Sequence, residues 1–166
     1  MKFDTKQITF LGLGVTLAML LSYVEFLLPP IWSAIPGIKL GLPNVIIMYV
    51  FYKSGSRDAA IVSALRLFLS ALLFGSFLTF LYSLAGAVLS FSVMLVLKKI
   101  GWFSSVGVSI GGAVFHNLGQ IIMAIIILGT REIGYYMIVL TLTGILSGFF
   151  IGMLSALMIK RVDLKI

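Results

Sequence analysis

Seven polar side chains stand within or beside long apolar runs of this chain: Glu25, Lys39, Asn44, Arg66, His116, Asn117 and Gln120. Ionisable and amide groups at membrane depth are costly to keep, so each is a candidate for function. A carboxylate, two cations, an imidazole and three amides suit recognition by charge and hydrogen bonding. Each also has a plainer reading. Glu25 could reach an outer interface, Lys39 could be a loop lysine, and Arg66 could snorkel or brace backbone carbonyls. His116, Asn117 and Gln120 could form an interhelical hydrogen-bond network. His116 and Gln120 are one helical turn apart, and Gly112 and Ser109 extend their face. Covalent chemistry is poorly served. Gly107-Val108-Ser109-Ile110-Gly111 matches a nucleophile elbow, but that motif needs a strand–turn–helix. The single histidine, His116, lies about 10 Å further along the same helix, too far to activate Ser109. There are no cysteines, so disulfides and thiolate metal sites are excluded, and neither a metal nor a cofactor is expected. No Gly-rich phosphate loop is present, so ATP hydrolysis is not intrinsic.

The elements that position these residues are set by composition. Of 166 residues, 61% are hydrophobic and 10% charged, with a mean hydropathy of +1.20. A soluble domain carries about 25% charged residues, so this much apolar surface belongs in lipid. About 20 apolar residues cross a bilayer as a helix, and the length supplies six crossings with short loops. The expected class is an all-α integral membrane bundle of six transmembrane helices, forming one domain over residues 1–166. The apolar runs lie at about Ile8–Leu28, Pro43–Tyr52, Ala59–Phe74, Phe77–Leu97, Phe103–Leu128 and Tyr135–Ile159. The first is too long for a signal-peptide core and reads as a helix. The second covers only half a bilayer. The Pro- and Gly-punctuated stretch before it is therefore expected to be broken or re-entrant, which requires burial in protein or a cavity.

Charge orients the bundle. Six helices put Lys2, Lys6, Lys53, Arg57, Lys98, Lys99, Lys160, Arg161 and Lys165 on one side, against Lys39 and Arg131 on the other. The Lys/Arg excess marks the cytoplasmic side, so both termini are expected there. The net charge of +7 then reflects anionic membrane lipid rather than nucleic acid. Small residues recur every four positions twice: Gly14, Ala18 and Ser22, and Gly144, Gly148, Gly152 and Ala156. Such stripes permit close helix approach. The later stripe reads as internal packing. The earlier one is read either as internal packing or as a docking seam for a membrane partner.

Pro36–Asn44 and His116-Asn117-Leu118-Gly119-Gln120, with Arg66 and Leu81–Gly86, resemble the heptaprenyl diphosphate synthase component I, or Gx transporter, family. That family is grouped with the substrate-binding S components of energy-coupling factor (ECF) transporters. The resemblance implies a six-helix bundle that binds substrate near the outer face. It further implies docking, through Gly14, Ala18 and Ser22, onto a transmembrane coupling protein driven by ATPases. The family's synthase label implies a non-catalytic role, because prenyl transferases need paired Asp-rich motifs. Here Asp4, Asp58 and Asp163 are isolated.

The function expected is a small-molecule-binding uptake subunit in a bacterial cell membrane. Its substrate would be isoprenoid, a quinone precursor or flavin-like. Glu25, Lys39, Asn44, His116, Asn117 and Gln120 would bind it, with Arg66 bracing the bundle from a deeper level. The alternatives are a non-catalytic membrane subunit of polyprenyl diphosphate synthesis and a structural membrane scaffold. A Gly/Pro-interrupted apolar segment beside a polar helix face favours the transporter reading.

Overall fold

The computed structural model describes residues 4–28 and 40–162, and all regular structure among them is helical. Six α-helices follow in order: α1 (Thr5–Leu27), α2 (Asn44–Lys53), α3 (Ser56–Leu73), α4 (Phe77–Ile100), α5 (Ser105–Leu128) and α6 (Met137–Arg161). A short 3-10 helix, Arg131–Tyr136, leads into α6. Four segments are long and apolar enough to cross a membrane: α1, α4, α5, and α6 with its 3-10 lead-in. Large apolar side chains such as Leu72, Phe77 and Ile138 point outward. This is the surface of an α-helical membrane protein, where lipid replaces water around the bundle.

Local sequence sets the helix ends. Ser76 caps α4 by accepting the Thr79 N–H at 3.2 Å while the Thr79 hydroxyl accepts the Ser76 N–H at 2.8 Å, a reciprocal capping box. Gly101 ends α4 at φ 77°, a left-handed turn that glycine adopts without strain. Ser104 caps α5 by accepting the Gly107 N–H at 3.2 Å.

Four tertiary contacts collect the basic residues at one end. Gln7, near the start of α1, donates to both carboxylate oxygens of buried Asp58 at the start of α3, at 3.1 and 2.9 Å. Lys98, ending α4, donates to the Phe51 carbonyl at 2.6 Å and lies over the Phe51 and Tyr52 rings. The Tyr49 hydroxyl donates to the Val162 carbonyl just past α6. Lys6, Lys53, Arg57, Lys98, Lys99, Lys160 and Arg161 thus share one end of the bundle.

Helix α2 is the hub. It packs on α1, α3 and α6, and every side chain from Val45 to Phe51 is buried. At ~1.5 Å per residue its ten residues run only ~15 Å, about half of a ~30 Å hydrocarbon core. Its first backbone N–H groups bond within the preceding turn, Asn44 to the Gly41 carbonyl at 2.8 Å and Val45 to that of Leu42 at 3.1 Å. The short hub fills the basic half of the bundle's interior and leaves the other half open.

One expectation is corrected here. Gly14, Ala18 and Ser22 do not present an open docking seam, because all three are buried inside the bundle. A Cβ on Gly14 would stand 3.5 Å from Val62 and 3.6 Å from Val50. The close approach that their small size permits is made by α3 and α2. The later stripe does pack internally as expected. A Cβ on Gly148 would lie 2.7 Å from the Ile110 Cα, and one on Gly152 2.8 Å from the Val106 Cα, so α6 lies directly on α5.

Candidate functional site

The open half of the bundle is a cavity of about 380 Å³. Every helix contributes to its wall: Glu25 from α1, Asn44 from α2, Arg66 and Ser70 from α3, Ser83 from α4, His116, Asn117 and Gln120 from α5, and Ser147 from α6. Phe26, Phe74 and Phe80 add aromatic surface, and Leu28, Leu40, Pro43, Leu67 and Ile151 add aliphatic surface. A smaller hollow of about 40 Å³ shares the Asn44, Arg66 and His116 walls and is floored by Ser63, Ser90, Ser109, Met48 and Met94. Mostly apolar walls with a few convergent polar groups are the usual form of a small-molecule site.

Glycine contacts hold α5 in place. A Cβ on Gly119 would come 2.6 Å from the Ala85 carbonyl oxygen, and one on Gly86 2.8 Å from the His116 carbonyl and 2.9 Å from the His116 ring. With no side chain at either position, α4 and α5 cross almost backbone to backbone. His116 and Gln120 are thereby seated at the crossing, beside the cavity. Ser109 is buried where α6 crosses, within 3.1 Å of the place a Gly152 Cβ would take. The Gly107–Gly111 motif is therefore helix packing.

Glu25 and Asn44 meet through the turn before α2. The Gly41 N–H donates to the Glu25 carboxylate, and a Cβ on Gly41 would stand 3.1 Å from the Asn44 amide nitrogen. Asn117 has a second engagement. Its amide donates to the Leu140 carbonyl at 2.6 Å, so its donor ties α5 to α6 while the residue lines the cavity. Lys39 lies outside the described residues.

Arg66 requires a correction. The sequence put it about seven residues into its helix and below the other polar groups. The helix begins earlier, at Ser56, which raises Arg66 to ~15 Å from that end at ~1.5 Å per residue. It lines both hollows rather than bracing the bundle beneath them. Its Nε is shut off from solvent and has no hydrogen-bond partner. Ser63, Arg66 and Ser70, spaced at three and four residues, form one face of α3 toward the site, and Phe74 just past the helix end continues it. That spacing was available in the sequence and marks Ser70 and Phe74 as wall residues too. Among the described residues no cluster of His, Asp or Glu could hold a metal ion.

No curated protein and no solved structure matches this chain. One family model does, over residues 15–158, which takes in the whole cavity wall and both glycine crossings. On that match the chain belongs to the heptaprenyl diphosphate synthase component I family.

Proposed function

We propose that this protein is the membrane-embedded, small-molecule-binding subunit of an uptake transporter, resembling an ECF S component. The observation that carries the proposal is the cavity of about 380 Å³, in which Glu25, Asn44, Arg66, His116 and Gln120 converge among apolar and aromatic walls. Such a lining suits a ligand with an apolar body and an anionic or carbonyl-rich head, as in isoprenoid, quinone-precursor or flavin-like molecules. In this reading the chain crosses a bacterial cell membrane six times. α2 and the segment before it share one crossing, and the basic end with both termini faces the cytoplasm. The cavity then belongs to the outer half, where an uptake protein receives its substrate. A coupling protein with ATPase subunits supplies the energy, docking on a surface other than the buried Gly14–Ser22 stripe.

The family's name favours a second reading, a non-catalytic membrane subunit of polyprenyl diphosphate synthesis. Catalysis by this chain is disfavoured in either case. Asp58 is tied up by Gln7 and Ser54 at the basic end, and among the described residues no carboxylate pair faces the cavity to hold Mg²⁺ against a diphosphate. Purification in a mild neutral detergent separates the two. Co-purified ATPases and a membrane coupling protein support the transporter subunit, and a soluble prenyl transferase supports the synthase subunit. Native mass spectrometry of the same sample reports any retained small molecule. A preparation carrying neither partner nor ligand would count against both.

A further inference from the structure

Resting on the reading of the cavity as a ligand site, we infer that the ligand binds head inward, seating a planar carbonyl or carboxylate group in the small hollow behind Arg66. Among the described residues the cavity and the hollow share Asn44 from α2, Arg66 from α3, Ala113 and His116 from α5, and Ile151 from α6. These form the neck between the two spaces. Behind the neck stand Ser63, Ser90 and Ser109, with Met48 and Met94. The chain direction of four helices agrees on which way is inward. Ser63 precedes Arg66 and Ser109 precedes His116 on helices that rise from the basic end, while Met48 follows Asn44 and Ser90 follows Ser83 on helices that return to it.

The two ends of the site differ in chemistry. The outer part is walled by Phe26, Phe74 and Phe80, the first two with ring centres 5.3 Å apart, a surface for an apolar or ring-shaped body. The hollow measures about 40 Å³, room for about three water-sized atoms at ~10–15 Å³ each. A carbonyl or carboxylate group is of that size. The lining is short of acceptors. The Arg66 Nε is buried with no partner, and the Ser90 hydroxyl donates to the Met94 sulfur at 3.7 Å. A thioether is a weak acceptor. A ligand oxygen in the hollow takes over the Ser90 hydrogen and faces the guanidinium, which can only donate. Buried donors without acceptors are costly, so the hollow selects an oxygen-bearing head over an apolar head of the same shape.

The test uses the whole purified chain in a neutral maltoside detergent and three probes with one naphthalene body: 2-naphthoate, 2-acetonaphthone and 2-isopropylnaphthalene. Their heads share one shape and carry two, one and no oxygens. Titration calorimetry should rank binding in that order, with naphthoate at least about tenfold tighter than isopropylnaphthalene. Ser90→Ala should weaken naphthoate and acetonaphthone about tenfold, and isopropylnaphthalene by less than about twofold. Ser90→Cys places a single thiol in a chain with no other cysteine. Saturating naphthoate should shield that thiol from methyl methanethiosulfonate. Equal binding of the three probes, or naphthoate binding untouched by Ser90→Ala, would overturn the inward head and leave the cavity a ligand site. If Ser90→Ala does not fold, a Ser90→Cys thiol that reacts equally fast with and without naphthoate overturns it too. No binding of any probe, with no retained small molecule, removes the cavity reading itself.

Discussion

The backbone N–H of Gly41 donates to the carboxylate of Glu25, sixteen residues earlier in the chain. This bond joins the end of α1 to the turn that starts α2, at the edge of the cavity. Gly41 holds φ at 75°, and a Cβ there would lie 3.0 Å from Ile151 and 3.1 Å from Asn44. Gly41→Ala should therefore destabilise the protein by about 1–3 kcal/mol, the range for a residue forced into a left-handed conformation. Thermal unfolding in detergent checks it, and a melting temperature equal to the parent's would mean that the turn relaxes freely.

His116 and Asn117 are neighbours with different duties. His116→Ala should weaken binding of the ligand retained through purification by about 1–3 kcal/mol, the cost of leaving a buried polar partner unmatched. Asn117→Ala removes the donor to the Leu140 carbonyl and should lower thermal stability. Titration and melting of both variants separate the two effects. Equal losses of affinity and stability in both would deny the division.

The glycine crossings give a graded test. Gly119→Ala and Gly148→Ala push a methyl against neighbouring backbone, which cannot step aside as a flexible side chain can. Each should cost about 1–3 kcal/mol by overpacking. Gly12 has nothing within 4 Å of its would-be Cβ, and Gly12→Ala should gain about 0.5–1 kcal/mol from helix propensity. Chemical unfolding of the three variants should rank them in that order.

Ala18 is fully buried in the α1 seam. Ala18→Trp should leave no monodisperse protein on size exclusion, since no space exists for the ring between α1, α2 and α3. Recovery of a folded monomer that has merely lost a membrane partner would mean that the seam opens to that partner.

The absence of native cysteine makes topology directly measurable. Single cysteines at Ser54 and Ser104, beside the basic end, should resist impermeant thiol reagents in intact cells. One at Thr130 should react. Labelling of Ser54 with protection of Thr130 would invert the proposed orientation.

The helices were legible because each rests on a run of apolar residues whose ends carry recognisable caps, as at Ser76, Gly101 and Ser104. The shortness of α2 was legible for the same reason, since Pro43 and Lys53 bound it. The structure draws Glu25, Asn44, His116, Asn117 and Gln120 to one cavity as their shared depth suggested. Depth misled for Arg66, because α3 starts at Ser56, where Arg57 and Asp58 interrupt the apolar pattern that usually marks a helix start. The duty of Asn117 was hidden because its partner is a backbone carbonyl, which sequence does not distinguish. The α1 stripe was ambiguous in principle. Small residues record that something approaches closely, and only packing reveals that α2 and α3 do so.

The buried hub also bears on how the chain enters a membrane. Insertion machinery sorts segments by apolar length, and ten residues fall short of the roughly 20 that partition as an independent span. α2 meets no lipid along Val45–Phe51, so its place is secured by α1, α3 and α6 rather than by the bilayer. α3 and α6 are synthesised after it. The hub must therefore wait, incompletely enclosed, until α6 is made, and stalled or truncated chains lacking α6 should be recognised as defective by membrane quality control.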